Sequence, residues 1–181
     1  MGGGGGLYQK KAPIYNLERS ADYNAGVKIH FDHAAFLHHF LFTASFYHLH
    51  YSNQYIPLYD SNGNYIGDAN GDSIYQGVNL ALDDEILYNL DLFMNANFEK
   101  AVFSHYVTSG VSYDGLPVSN VPNKTFNIGV TYRMPLAGTA LQPRLWYQYV
   151  GAQGMFNNNA GAPSAEKMPA YGTLNLGVDE K

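Results

Sequence analysis

Seven stretches of this chain alternate apolar and polar residues, and the connections between them switch in turn from a short turn to a long polar segment. The clearest stretch sets Phe126, Ile128, Val130, Tyr132 and Met134 against Asn127, Gly129, Thr131 and Arg133. Successive side chains of a strand point to opposite faces, so such a ribbon has two sides that meet different surroundings. Many of these ribbons joined up-and-down make a meander or a barrel. The expected fold class is therefore all-β and antiparallel.

Period-two reading gives a first strand over Tyr23, Ala25, Val27, Ile29 and Phe31, then a tight turn near His33 to Ala35. A second strand is expected from Leu37 to Tyr51, and the Asn, Asp and Gly of Ser52 to Asp72 predict a long exposed loop with turns of its own. The third strand is placed at Ile74 to Leu82 with a short exit over Asp83 to Leu87, and the fourth at Asn89 to Val107. A loop over Thr108 to Pro122 precedes the fifth strand, and a compact turn at Pro135 to Ala140 leads to a sixth at Leu141 to Phe156. A loop over Asn157 to Met168 leads to the seventh, which starts at Pro169 and is expected to be cut short by Asp179, Glu180 and Lys181. Short turns fall on one rim and long loops on the other. Tyr23, Tyr51, Tyr75, Tyr106, Tyr132 and Tyr149 sit toward strand ends, where a membrane barrel carries aromatic girdles and where tyrosine is also simply a good strand former.

At 181 residues the chain needs no second domain. Its apolar runs are far short of a membrane helix, but a spanning strand needs only about 9 to 11 residues and alternates, so the slightly negative mean hydropathy leaves a membrane barrel open. A net charge of -5 and a pI near 5.7 speak against nucleic acid. Without cysteine there is no disulfide scaffold, thiolate metal site or thiol nucleophile. Residues 1–15, with Gly2 to Gly6, read as a linker or a non-native start, and residues 16–181 as the strand-bearing domain.

Histidines crowd the first hairpin: His30, His33, His38, His39, His48 and His50. His48 and His50 share a strand face about 7 Å apart, yet no third ligand is placed beside them, and rim histidines are the simpler reading. The run from Asp60 to Asn64 and its echo from Asp68 to Asp72 offer oxygens at positions 1, 3 and 5. A calcium loop would want Gly at position 6 and Glu at 12, where Tyr65 or Ser73 and Gly71 or Asn79 stand instead; Asn-Gly turns explain the runs. Asp83, Asp84 and Glu85 are expected as solvated charges at a short turn, not as acid/base groups. No residue is assigned to catalysis, to a cofactor or to a metal, and no enzyme constellation occurs.

Three segments resemble the barrel of TonB-dependent outer-membrane receptors. Asn16 to Lys28 (NLERSADYNAGVK) is similar to the family's L-K-P-E-R-S-x-x-Y-E-L-G-x-K, without the Lys-Pro before Glu18 and with Asn24 in place of Glu. Val118 to Tyr132 (VSNVPNKTFNIGVTY) resembles V-P-N-x-P-x-H-x-x-N-x-G-x-x-Y, and Met168 to Gly177 (MPAYGTLNLG) resembles L-P-G-Y-T-L-V-N-L-G. The resemblance spans residues 16–178 and implies a partial transmembrane β-barrel of about seven strands, from a family whose barrels have about 22. The expectation is a receptor fragment of the Gram-negative outer membrane, with the plug domain, the TonB-contacting segment and the last strands missing. It also implies a metal-siderophore or other small nutrient as ligand, lipid and the TonB system as partners, and transport without covalent chemistry. Asn95, Asn97, Glu99, Arg133, Arg144 and Gln148 would then line the lumen, and the three long loops would face the ligand. The alternative from another class is a soluble β-sandwich or lectin-like binding module, whose apolar faces would meet in a core.

Overall fold

Alternation becomes strand nearly everywhere in the computed structural model of the chain, which describes residues 16–34, 37–59, 62, 64–108, 110–156 and 165–180. The expectations for residues 1–15, for most of the Asp60 to Asn64 run and for most of the Asn157 to Met168 loop lie outside the described residues. The main sheet contains β1 (Arg19–Ala34), β2 (Leu37–Tyr59), β3 (Tyr65–Leu87) and β4 (Leu90–His105). It continues through β7 (Lys124–Tyr132), β9 (Thr139–Val150) and β12 (Tyr171–Glu180), in that spatial order, with β8 (Met134–Leu136) pairing beside β9. Every pairing in it is antiparallel between sequence neighbours in the path. Two small hairpins lie outside it: β5 (Val107–Thr108) with β6 (Val111–Ser112), and β10 (Gln153–Phe156) with β11 (Ala165–Met168).

The register aligns the apolar residues into continuous rows. Val27, Ala44, Leu80, Ala96, Phe126 and Tyr149 are cross-strand neighbours in one row; Ile29, Phe42, Leu82, Met94, Ile128, Tyr147 and Leu174 form the next. This face is open: Phe46 is 50% exposed, Phe98 49%, and Leu174 70%. No second layer packs on it among the described residues, which removes the sandwich alternative, since that fold buries its apolar stripes against a second sheet. The chain also has no helix long and apolar enough to cross a membrane among the described residues, a statement that does not bear on strands.

Four expectations are corrected. Ser52 to Asp72 is not one long loop: β2 runs on to Tyr59 and β3 already starts at Tyr65, each strand 23 residues long, with a register shift between Tyr51 and Gln54. Its polar residues serve the ladder. Asp72 Oδ1 accepts the Asn53 N–H at 2.9 Å, and Asn70 Nδ2 donates to the Asn53 carbonyl at 2.9 Å, so Asn53 can sit at φ 56° in the irregularity.

Asp83 to Glu85 likewise belong to β3, paired with Phe93, Leu92 and Asp91. The turn falls later, at Asn89, whose N–H is held by Glu85 Oε1 at 2.9 Å. Asp84 is 2% exposed and therefore not solvated. The charged end does not stop the last strand, because Asp179 pairs with Gln142 and meets Arg144 at 2.9 Å. The sixth expected strand is broken at Gly151 and Ala152 into β9 and β10.

Candidate functional site: the polar face and the folded rim

The face opposite the apolar rows is built of amides and hydroxyls. Thr43, Ala81, Asn95, Asn127, Gln148 and Thr173 stand in one register row, and Ser45, Asn79, Asn97, Thr125, Val150 and Tyr171 in the next. Together they line a depression of about 450 Å³ that contains no charged side chain. Asn97 Nδ2 donates to Asn79 Oδ1 at 2.7 Å and to the Tyr47 hydroxyl at 3.2 Å, tying three strands. Asn127 Oδ1 is buried there with no hydrogen-bond partner among the described residues, so the surface keeps an acceptor to offer.

Charges flank this neutral band. Toward the short-turn rim, Arg133 lies 3.7 Å from Asp91 and Arg144 pairs with Asp179, its guanidinium 5.7 Å from the Trp146 ring centre. Trp146 and Phe93 form an aromatic patch there. Gly129 lies between them in the register, and a Cβ on it would stand 2.6 Å from atoms of each. Glu99 lies at the other end, beside Tyr47. All six residues expected to line the lumen therefore share one face, but only Asn95, Asn97 and Gln148 line the depression. Asn127, Thr125 and Thr173 were missed as lining residues, although their place in the alternation was available.

The long-loop rim is folded. Residues 113–118 return along β4: Phe103 N–H donates to the Leu116 carbonyl, Val118 N–H to Ala101, and Gly115 N–H to Phe103. Phe103, Tyr106 and Tyr113 are buried at 3%, 2% and 6% exposure, with Ile56, Ala69, Val111, Leu116 and Val118 against them. Gly71 makes room, since a Cβ there would meet Tyr106 at 2.9 Å and Ile56 at 2.8 Å. Burial, then the nearby Tyr113, pushes the Tyr106 hydroxyl up to about 12. Tyr106 is thus a core residue and not part of a girdle. Register puts Tyr51 and Tyr75 on the polar face, and Tyr23, Tyr132 and Tyr149 on the apolar one.

The histidines do not converge into a cage. His48 Nδ1 faces Gln76 Oε1 at 3.3 Å, and His30 and His39 each approach Asp32 Oδ1, at 3.4 and 3.5 Å. Among the described residues no group of three or more His, Asp or Glu side chains is arranged to hold a metal ion.

Comparison with known proteins matches this geometry. The family model described as "TonB dependent receptor-like, beta-barrel" matches residues 2–180. A search of curated proteins finds no match. Among solved structures, the ferric yersiniabactin uptake receptor FyuA from Yersinia pestis is similar with a TM-score of 0.63 and 19% sequence identity. The match covers 92% of this chain and 24% of that one, so the chain spans about a quarter of that receptor's length, and the likeness is one of fold.

Proposed function

Because the chain belongs to the TonB-dependent receptor β-barrel family, we propose that residues 16–181 form an arc of an outer-membrane transport barrel that takes up a ferric siderophore or a similar scarce nutrient, powered through TonB. The observation that carries this reading is the open apolar face running across the main sheet with a hydrogen-bonding face behind it. Water does not reward such a face. Lipid does, and strands can cross it only when each backbone N–H and C=O is paired with a neighbour. The first and last strands of the arc, β1 and β12, each present one unpaired edge among the described residues, and further barrel strands complete them in the working receptor.

In this arrangement the neutral band faces the lumen and the folded rim faces outward. Amides and hydroxyls bind by hydrogen bonds of modest net strength, about 0.5–1.5 kcal/mol each, so a partner can be held and released. No covalent step is required of any residue. The chain's one tryptophan, Trp146, stands on the lumen face and reports directly. With the chain folded in detergent micelles, a ferric hydroxamate, catecholate or phenolate siderophore that enters the lumen quenches Trp146 fluorescence saturably, and the iron-free form does so less. Quenching that is linear in concentration for every ferric complex tried counts against the ligand class while leaving the barrel reading standing.

A further inference from the structure

We infer that the β1–β2 hairpin end carries a divalent transition-metal site whose protein ligands are the Nδ1 atoms of His33 and His38. The two residues are direct cross-strand partners, their Nδ1 atoms stand 3.0 Å apart, and their rings meet edge-on at 74°. At that distance one ring donates its Nδ1–H to the Nδ1 lone pair of the other. With both rings in the Nε2–H tautomer the two Nδ1 lone pairs face the same point, and a divalent ion placed there takes over the role of the shared hydrogen.

Imidazole nitrogens bound to zinc at about 2.0–2.1 Å, with ligand angles from a right angle to the tetrahedral value, lie about 2.9–3.4 Å from each other. The hairpin register thus holds the pair at chelating distance before any ion arrives, and the ordering of the two side chains is already supplied by the fold.

The other rim histidines are placed differently. His30 and His39 both point at Asp32 Oδ1 and His48 at the Gln76 amide oxygen, so each faces an oxygen acceptor. His33 and His38 have each other. Water fills the remaining positions around the ion. Two neutral nitrogens select a borderline ion, zinc, nickel or copper, over magnesium or calcium, which want oxygen. The site lies at the short-turn rim, away from the folded rim and outside the neutral depression, so it is separate from the proposed ligand path and does not depend on it.

The test is calorimetric titration of the full chain, folded in detergent micelles, with zinc chloride. The expected result is one zinc ion per chain. His33→Gln and His38→Gln should each weaken binding by about tenfold or more, while the His48→Gln/His50→Gln double variant keeps the parental affinity. Far-UV circular dichroism of each variant confirms that the strands remain. Parental affinity in the folded His33→Gln/His38→Gln double variant overturns the inference. So does loss of binding in the His48/His50 variant, or a parent chain that takes up no zinc below about 1 mM.

Discussion

The sheet body and the long-loop rim are made of the same residue types and are held together in different ways. In the body, Phe46, Val78, Phe98 and Ile128 lie in the strands and are still more than a third exposed, so among the described residues these apolar side chains have no protein partner layer. In the rim, Phe103, Tyr106 and Tyr113 bury one another, and backbone bonds fasten the returning segment to β4. The body relies on the backbone ladder and on whatever solvent meets its apolar face; the rim carries its own hydrophobic core. A barrel wall with self-supporting outer structure needs that division, because lipid can solvate a wall and cannot solvate a loop.

The largest expected effect lies in the rim. Phe103→Ala removes the centre of the cluster and should cost about 3–5 kcal/mol of local stability, read as faster amide exchange over residues 106–122 with little change in β1 and β2. If exchange rises equally everywhere, rim and body are one unit and the contrast fails.

Gly129→Val comes next. It drives branched carbons into Phe93 and Trp146 and should cost about 1–3 kcal/mol, seen as a lower urea midpoint and a shifted Trp146 emission. Unchanged emission would mean that the aromatic patch is not packed as described.

Alkali separates the two regions without mutation. The raised Tyr106 hydroxyl means that the folded rim favours the neutral phenol: the stabilisation is fully present below the ordinary value of 10.0 and is lost as the pH climbs through about 12. Absorbance titration should show Tyr106 contributing to a late-ionising component, with rim amides exchanging faster at that point. In Tyr106→Phe that component should shrink by one tyrosine.

The smallest effect is expected at Arg144→Gln. The pair with Asp179 is nearly half exposed on both sides, so its loss should change stability by less than about 1 kcal/mol in the urea midpoint.

Much of the body was legible in the sequence because alternation is the physics of a strand with two surroundings. Phe126 to Tyr132 announced both its faces. What failed did so where local chemistry points both ways. Asn53, Asn70 and Asp72 are turn formers by propensity, yet here their side chains bind the ladder and let β2 and β3 run on. Asp84 carries a charge that marks a turn in sequence, but the register of β3 with β4 takes it into the strand. Tyr106 looked like a girdle residue because sequence position says nothing about a loop that folds back over it. The neutral band was half visible: Asn95, Asn97 and Gln148 were expected on one face, but their grouping with Asn127 and Thr173 depends on the stagger of four strands, which single-strand alternation does not encode.

The central claim is that the two faces of the body meet lipid on one side and a watery lumen on the other. The chain has no cysteine, so single cysteines report cleanly. Bimane attached at Ile128→Cys and Leu80→Cys, and at Asn95→Cys and Asn127→Cys, in chain reconstituted into lipid vesicles, is exposed in turn to spin-labelled lipid and to iodide. The account predicts strong lipid quenching and weak iodide quenching at Ile128 and Leu80, reversed at Asn95 and Asn127. Equal accessibility of all four sites to iodide, with no lipid quenching at any of them, would contradict it.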